Sequence, residues 1–173
     1  MAEVITWLLD RIYEAPEQEK ETKKDENILP QPITENAYEN SVRYQNHNSK
    51  PELAGFEADM TPCTNILENF RKGFTAWKEN DRITFKVTGT GIAVQYRKSV
   101  HKPTPIARAV VDGKEDEAVL LDGNFEEDWG DCLYVDTVAE HMPLGEHTIE
   151  ITIIEAHEKD VVPFYLVSVI GSK

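Results

Sequence analysis

The side chains best placed to do chemistry crowd into one stretch, Asp122-Gly-Asn-Phe-Glu-Glu-Asp-Trp-Gly-Asp131. Trp129 sits there between Asp128 and Gly130, and a flat ring in a polar loop can stack on a sugar face. The carboxylates of Asp128 and Asp131 can accept hydrogen bonds from sugar hydroxyls. Trp77, Tyr96, His101 and Tyr134 are further candidates for such a face, and core packing is the competing use of the same rings. Carboxylates at this density also suit a hard cation such as calcium. The stretch departs from the EF-hand pattern, with Glu127 at the position of the turn glycine and Leu133 at that of the bidentate glutamate. It reads as a solvated acidic turn anchored by Phe125 and Trp129, and no metal or cofactor is expected.

Covalent chemistry has little to work with. A serine nucleophile needs a base and an orienting acid, and neither Gly-x-Ser-x-Gly nor Gly-Asp-Ser occurs. Gly130-Asp131-Cys132 is the nearest approach. A self-sufficient hydrolase would have to pair Cys132 with His141 or His147, although buried inert thiols are far commoner than activated ones. The histidines, His47, His101, His141, His147 and His157, show no metal-ligand spacing. His147 follows Gly145 at the mouth of an expected strand, where tying a turn by a hydrogen bond is its natural task. Cys63 and Cys132 form neither a C-x-x-C pair nor a disulfide framework, and read as free thiols in a reducing compartment. The opening residues have no basic region and no small-residue cleavage site, so a cytoplasmic location is favoured if Met1 is the natural start.

The formal net charge of -14 over 173 residues disfavours nucleic acid and anionic membrane surfaces as partners. No stretch approaches the roughly 20 apolar residues of a membrane span. Neutral ligands such as sugars remain open.

The elements that must carry these residues fall into three parts: 1–14, 15–50 and 51–173. Residues 2–14 read as a helix, with Val4, Leu8 and Ile12 on one line and Ile5 and Leu9 on the next. It has no N-cap residue, and its apolar face calls for a covering partner. Residues 14–27 are a charged linker. Residues 28–50 read as an irregular segment pinning Tyr38 and Tyr44 onto the next domain. From Leu53 onward the period is two. Strands are expected over 83–87, 92–96, 106–111, 118–121, 133–138, 149–153 and 164–170, with shorter ones near Phe56 and Phe74. Gly89-Thr90-Gly91, Asp112-Gly113 and Asp122-Gly123 supply turns. Many short strands without intervening helices predict a mainly β fold, an antiparallel β-sandwich or jelly roll.

Two stretches resemble known proteins. Met1-Ala-Glu-Val-Ile-Thr-Trp-Leu-Leu-Asp-Arg-Ile-Tyr13 resembles the final helix of SGNH (GDSL) hydrolases. Val87-Thr-Gly-Thr-Gly-Ile-Ala-Val-Gln-Tyr96, Ala109-Val-Val-Asp-Gly113, Leu121 to Asp131, Leu144-Gly-Glu-His-Thr148 and Pro163-Phe-Tyr-Leu-Val-Ser-Val169 resemble the β-sandwich appended to some bacterial members of that superfamily. The Val-Asp-Gly and Gly-x-His-Thr pieces are also similar to the jelly roll of family two carbohydrate esterases. The resemblance implies a non-catalytic, carbohydrate-binding-like module beside an SGNH catalytic domain in cis, in an esterase acting on acylated carbohydrate. The Gly-Asp-Ser block, the oxyanion-hole Gly and Asn and the Asp-x-x-His block of the family are absent, so no catalytic residue carries over. The self-sufficient Cys132 hydrolase and a purely structural interaction domain stand as the alternatives.

Overall fold

The computed structural model describes residues 5–7, 40–65 and 68–173. The chain divides into two compact units, Met1–Glu35 and Asn36–Lys173. In the first, residues 5–7 are helical, with Ile5 and Trp7 exposed. Leu8, Leu9 and Ile12, and the linker 14–27, lie outside the described residues.

The second unit is an antiparallel β-sandwich. Its strands are β1 Val42–Tyr44, β2 Glu52–Ala54, β3 Glu57–Ala58, β4 Phe74–Ala76, β5 Arg82–Gly89, β6 Gly91–Lys98, β7 Ile106–Val111, β8 Val119–Asp122, β9 Cys132–Ala139, β10 Gly145–Glu155 and β11 Phe164–Ser172. One sheet has the order β3-β4-β11-β6-β9, with β1 also paired to β11; the other runs β2-β5-β10-β7-β8. A short 3-10 helix, Glu115–Glu117, lies between β7 and β8.

Alternation builds the core. β5 turns Ile83, Phe85 and Val87 inward and leaves Arg82 and Lys86 in water. β10 buries Ile149, Ile151 and Ile153, and β6 buries Ile92, Val94 and Tyr96. Phe74 and Phe85 meet edge to face across the two sheets, with centroids 5.7 Å apart. β11 breaks the pattern, since nearly every residue in it is buried. Its register shifts between Leu166 and Ser168, and its outer face is covered. The Tyr165 hydroxyl donates to Asp59 at 2.5 Å, and Phe70 packs edge-on against the Tyr165 ring. Farther along, Arg43 Nε donates to Ser168 Oγ at 3.0 Å, and Ser168 Oγ donates to Gln95 Oε1 at 3.0 Å.

The expected strands are present, most with ends moved by a residue or two, while the one expected over 149–153 begins four residues earlier, at Gly145. The irregular reading of 28–50 is revised for residues 42–44, which add β1 to the edge of β11. Tyr44 does pack on the core, and its hydroxyl accepts the Thr88 amide at 3.3 Å. Tyr38 lies outside the described residues.

Register fixes which loops share an end. Lys98 faces Cys132, Tyr96 faces Leu166, and Ala76 faces Phe164. In the other sheet Arg82 faces Thr152, while Ile106 faces both Glu155 and Asp122. The loops 77–81, 99–105, 123–131 and 156–163 therefore all emerge at one end of the sandwich. The turns at 90, 112–118 and 140–144 emerge at the other.

Phe85→Ala should cost about 3–5 kcal/mol in urea-induced unfolding, because it removes a ring from a packed core. Lys86→Ala, one residue away on the wet face, should stay within about 0.5 kcal/mol. Similar costs at both positions would mean that the two faces of β5 are not distinguished as described.

Candidate functional site

Five residues singled out in the sequence lie at the loop-bearing end: Trp129, Asp128 and Asp131 beside β9, His101 after β6, and Trp77 after β4. Trp129 is 68% exposed. Its indole is held edge-on by Phe125, with centroids 5.2 Å apart and planes at 88°. Asp128 is exposed beside Glu126 and Glu127. Gly130 follows at φ 146°, a conformation that side-chain-bearing residues rarely adopt, and turns the chain back toward β9. His101 is exposed on the loop 99–105. Trp77 is 48% exposed at the head of the loop 77–81, where the Asp81 carboxylate accepts the amides of Trp77 and Lys78 at 3.2 and 2.9 Å.

The loops 99–105 and 123–131 are tied to each other, whereas the loop 77–81 is bonded to β10 through Asn80, Asp81 and Ile153. Ser99 donates its amide to Gly123 O at 2.8 Å and accepts the Phe125 amide on its carbonyl at 3.0 Å. Its hydroxyl donates to Asp131 Oδ1 at 2.8 Å and accepts the His101 amide at 3.1 Å. The same Asp131 oxygen accepts the Val100 amide at 3.1 Å. Asn124 fastens a second point: its Oδ1 accepts the Thr104 amide at 3.1 Å, and its Nδ2 donates to Asp122 at 2.8 Å. The Val161 amide reaches Pro103 O at 2.9 Å, which joins the loop 156–163. Arg97 completes the join. Its Nη2 donates to Pro163 O at 3.0 Å and its Nε lies 3.8 Å from Asp131 Oδ2. Its guanidinium also stacks over Phe70 and Tyr165 at 5.7 and 5.5 Å. Burial pulls the Arg97 guanidinium below its usual value, and Asp131 opposes that shift.

Tyr96 does not belong to an exposed face. It is 1% exposed, stacks on Phe164 and donates its hydroxyl to Asp136 at 2.7 Å. Burial, then the bond to Asp136, pushes that hydroxyl far above the ordinary tyrosine value. The reason is parity: Tyr96 shares the inward side of β6 with Ile92 and Val94. Tyr134 is exposed on β9 and carries the Lys98 ammonium over its ring at 4.4 Å. Pairing Cys132 with His141 or His147 is overturned by topology. Cys132 opens β9 at the loop-bearing end, while both histidines lie beyond its far end. A strand of that length spans roughly 25 Å, far outside hydrogen-bond reach. Among the described residues, no three of His, Cys, Asp and Glu are grouped to hold a metal ion. Among them also, no helix is long and apolar enough to cross a membrane.

No family model and no curated protein matches the chain. Solved structures do. A two-domain esterase active on acetylated mannans, co-crystallized with mannopentaose, is 46% identical with a TM-score of 0.82, over 99% of this chain and 44% of its own. A second structure of a two-domain esterase active on acetylated mannans gives 45% identity and 0.83, over 99% and 45%. This chain is similar to one part of a two-domain esterase. It spans less than half the length of those proteins. A family two carbohydrate esterase from Cellvibrio japonicus shares the fold, at 11% identity and a TM-score of 0.52 over 76% of this chain and 33% of its own.

At the opposite end of the sandwich, His147 ties a turn. Its Nδ1 meets Asp112 Oδ2 at 2.7 Å and its Nε2 meets Pro143 O at 2.9 Å. The bond to Asp112, then that to Pro143, raises the imidazole above its ordinary value. Burial alone would raise the Asp112 carboxyl, but the Thr148 amide and His147 outweigh it and hold it low. The histidine contribution is complete below about pH 6.5 and fades as pH rises through the raised pKa. The aspartate contribution is present above about pH 4 and fades as pH falls through the depressed one. His147→Gln should therefore lower the melting temperature more at about pH 5.5 than at about pH 9. An equal loss at both pH values would mean that the imidazolium adds nothing to this turn.

Proposed function

We propose that this chain is the accessory sandwich of an SGNH-type esterase acting on acylated carbohydrate, and that its loop-bearing end contacts the glycan. The similarity to esterases active on acetylated mannans supports the substrate class. The observation that carries the contact is Trp129, 68% exposed on a loop that hydrogen bonds hold in place. The core does not use this ring, so its apolar face is available for stacking on a sugar. Asp128 beside it and His101 on the adjoining loop 99–105 can supply hydroxyl contacts, and Trp77 at the same end can supply a second ring. A neutral glycan also meets no electrostatic barrier from a chain of formal charge -14. In the whole esterase the same end would border the cleft of the catalytic domain in cis.

Titration of the 173-residue chain with mannopentaose tests the contact. Trp129→Ala should cost about 1–3 kcal/mol of binding free energy and leave the melting temperature close to that of the parent. A parent chain without affinity for mannopentaose or acetylated mannan would favour a purely structural domain instead.

The chain alone should not turn over simple acyl esters, because none of its sequence supplies the nucleophile block of the family. A p-nitrophenyl acetate assay checks this. Turnover abolished by Cys132→Ser would show a thiol chemistry that does not depend on His141 or His147.

A further inference from the structure

We propose that Asp131 is a positioning residue that locks the His101 loop against the Trp129 loop, and not a group that binds sugar hydroxyls itself. The proposal rests on the reading of this end as the carbohydrate-contacting face. Asp131 Oδ1 already accepts two donors, the Ser99 hydroxyl and the Val100 amide, and its Oδ2 is turned toward the buried guanidinium of Arg97. Only 21% of the side chain is exposed. The acceptor capacity of Oδ1 is thus spent within the protein, while Oδ2 accepts no hydrogen bond and faces Arg97 only across 3.8 Å.

Asp131 gives a direction to the Ser99 hydroxyl. That hydroxyl has one proton, and an acceptor-only carboxylate takes it. The oxygen must then present a lone pair elsewhere, and it presents it to the His101 amide at 3.1 Å. Ser99 is 1% exposed, and its amide and carbonyl are bound to the loop of Trp129 through Gly123 and Phe125. The path Asp131–Ser99–His101 thus sets one loop from the other. Asp131 is also two residues from Trp129 in the chain, so one anchor fixes both candidate contacts. A face ordered before the ligand arrives loses less freedom on binding, so the clamp should appear as affinity.

The test uses Ser99→Ala, Asp131→Ala, Asp131→Asn and the double alanine variant in the full 173-residue chain. Mannopentaose affinity is read by calorimetry, and hydrogen exchange is read at the Val100 and His101 amides. Each alanine variant should bind about tenfold more weakly, and the double variant no more weakly than the worse single, as expected for two members of one unit. Asp131→Asn keeps an acceptor oxygen in place and should retain most of the affinity. Exchange at Val100 and His101 should accelerate in the alanine variants while the strand interiors of β6 and β9 stay protected. If Asp131→Ala loses affinity while Ser99→Ala binds like the parent, Asp131 touches the sugar and the proposal is overturned. Unchanged exchange in Asp131→Ala overturns it as well. Should that variant fail to fold, Ser99→Ala and Asp131→Asn decide by the same two readings. A parent chain that binds no sugar defeats the functional reading alone, and the exchange data still decide the clamp.

Discussion

Asp131 accepts the hydroxyl of Ser99 and the amide of Val100, and the loop-bearing end of the sandwich is organised around that contact. Ser99 lies one residue beyond β6, whose inward side chains are locked in the core. The rigidity of the core therefore passes directly to the loops. Arg97, two residues earlier, links the opposite direction through Pro163 and the rings of Phe70 and Tyr165. A buried guanidinium is costly unless its charge is answered, and the partial carboxylate contact and two ring faces answer it. Burial still lowers the guanidinium's pKa, so these contacts offset its desolvation only in part.

This arrangement leaves the indole of Trp129 exposed while its edge rests on Phe125. Trp129 would be expected to collapse onto the nearest apolar surface if its loop were slack. Phe125 instead holds its edge, Gly130 permits the reverse turn, and Asp131 fixes the next residue. The carboxylates of Glu126, Glu127 and Asp128 stay in water and keep the loop from folding inward, since burying them without partners would be prohibitive.

The sheets are legible in the sequence because period-two alternation is itself the signature of a surface with one wet side. β5 and most of β6 show it, and β10 shows it as far as Ile153, where its register shifts. β1 and β2 are not legible, since strands of three residues are defined by the partner edge and not by their own pattern. Of the site, Trp129 can be placed because its flanking residues are polar. Tyr96 departs from the expected exposed face although the signal for burial is present: it continues the line of Ile92 and Val94. The same reasoning separates Cys132 from His141, which stand at the two ends of one strand. The roles of Ser99, Asn124 and Arg97 leave no trace in the sequence. Their partners are 32, 20 and 66 residues away, and only the register of the sheets brings them together.

The two ends of the sandwich differ in how side chains take part in their ties, and that difference bears on which end is used. At the His147 end, one imidazole bridges Asp112 and Pro143, and the geometry amounts to closing adjacent turns. The Met142 amide also bonds Thr90 O at 2.8 Å, and Asp112 and Thr148 exchange two bonds, so this end is tied mainly by backbone contacts between turns. At the other end the ties run between loops that have no need of one another to close their own hairpins. Asn124 binds Thr104, Ser99 binds Gly123 and Phe125, and Val161 binds Pro103. Such cross-ties add little that the strands do not already provide to the core. They add a fixed relation among exposed side chains drawn from separate segments, and a shared ligand is the kind of demand that makes that relation useful.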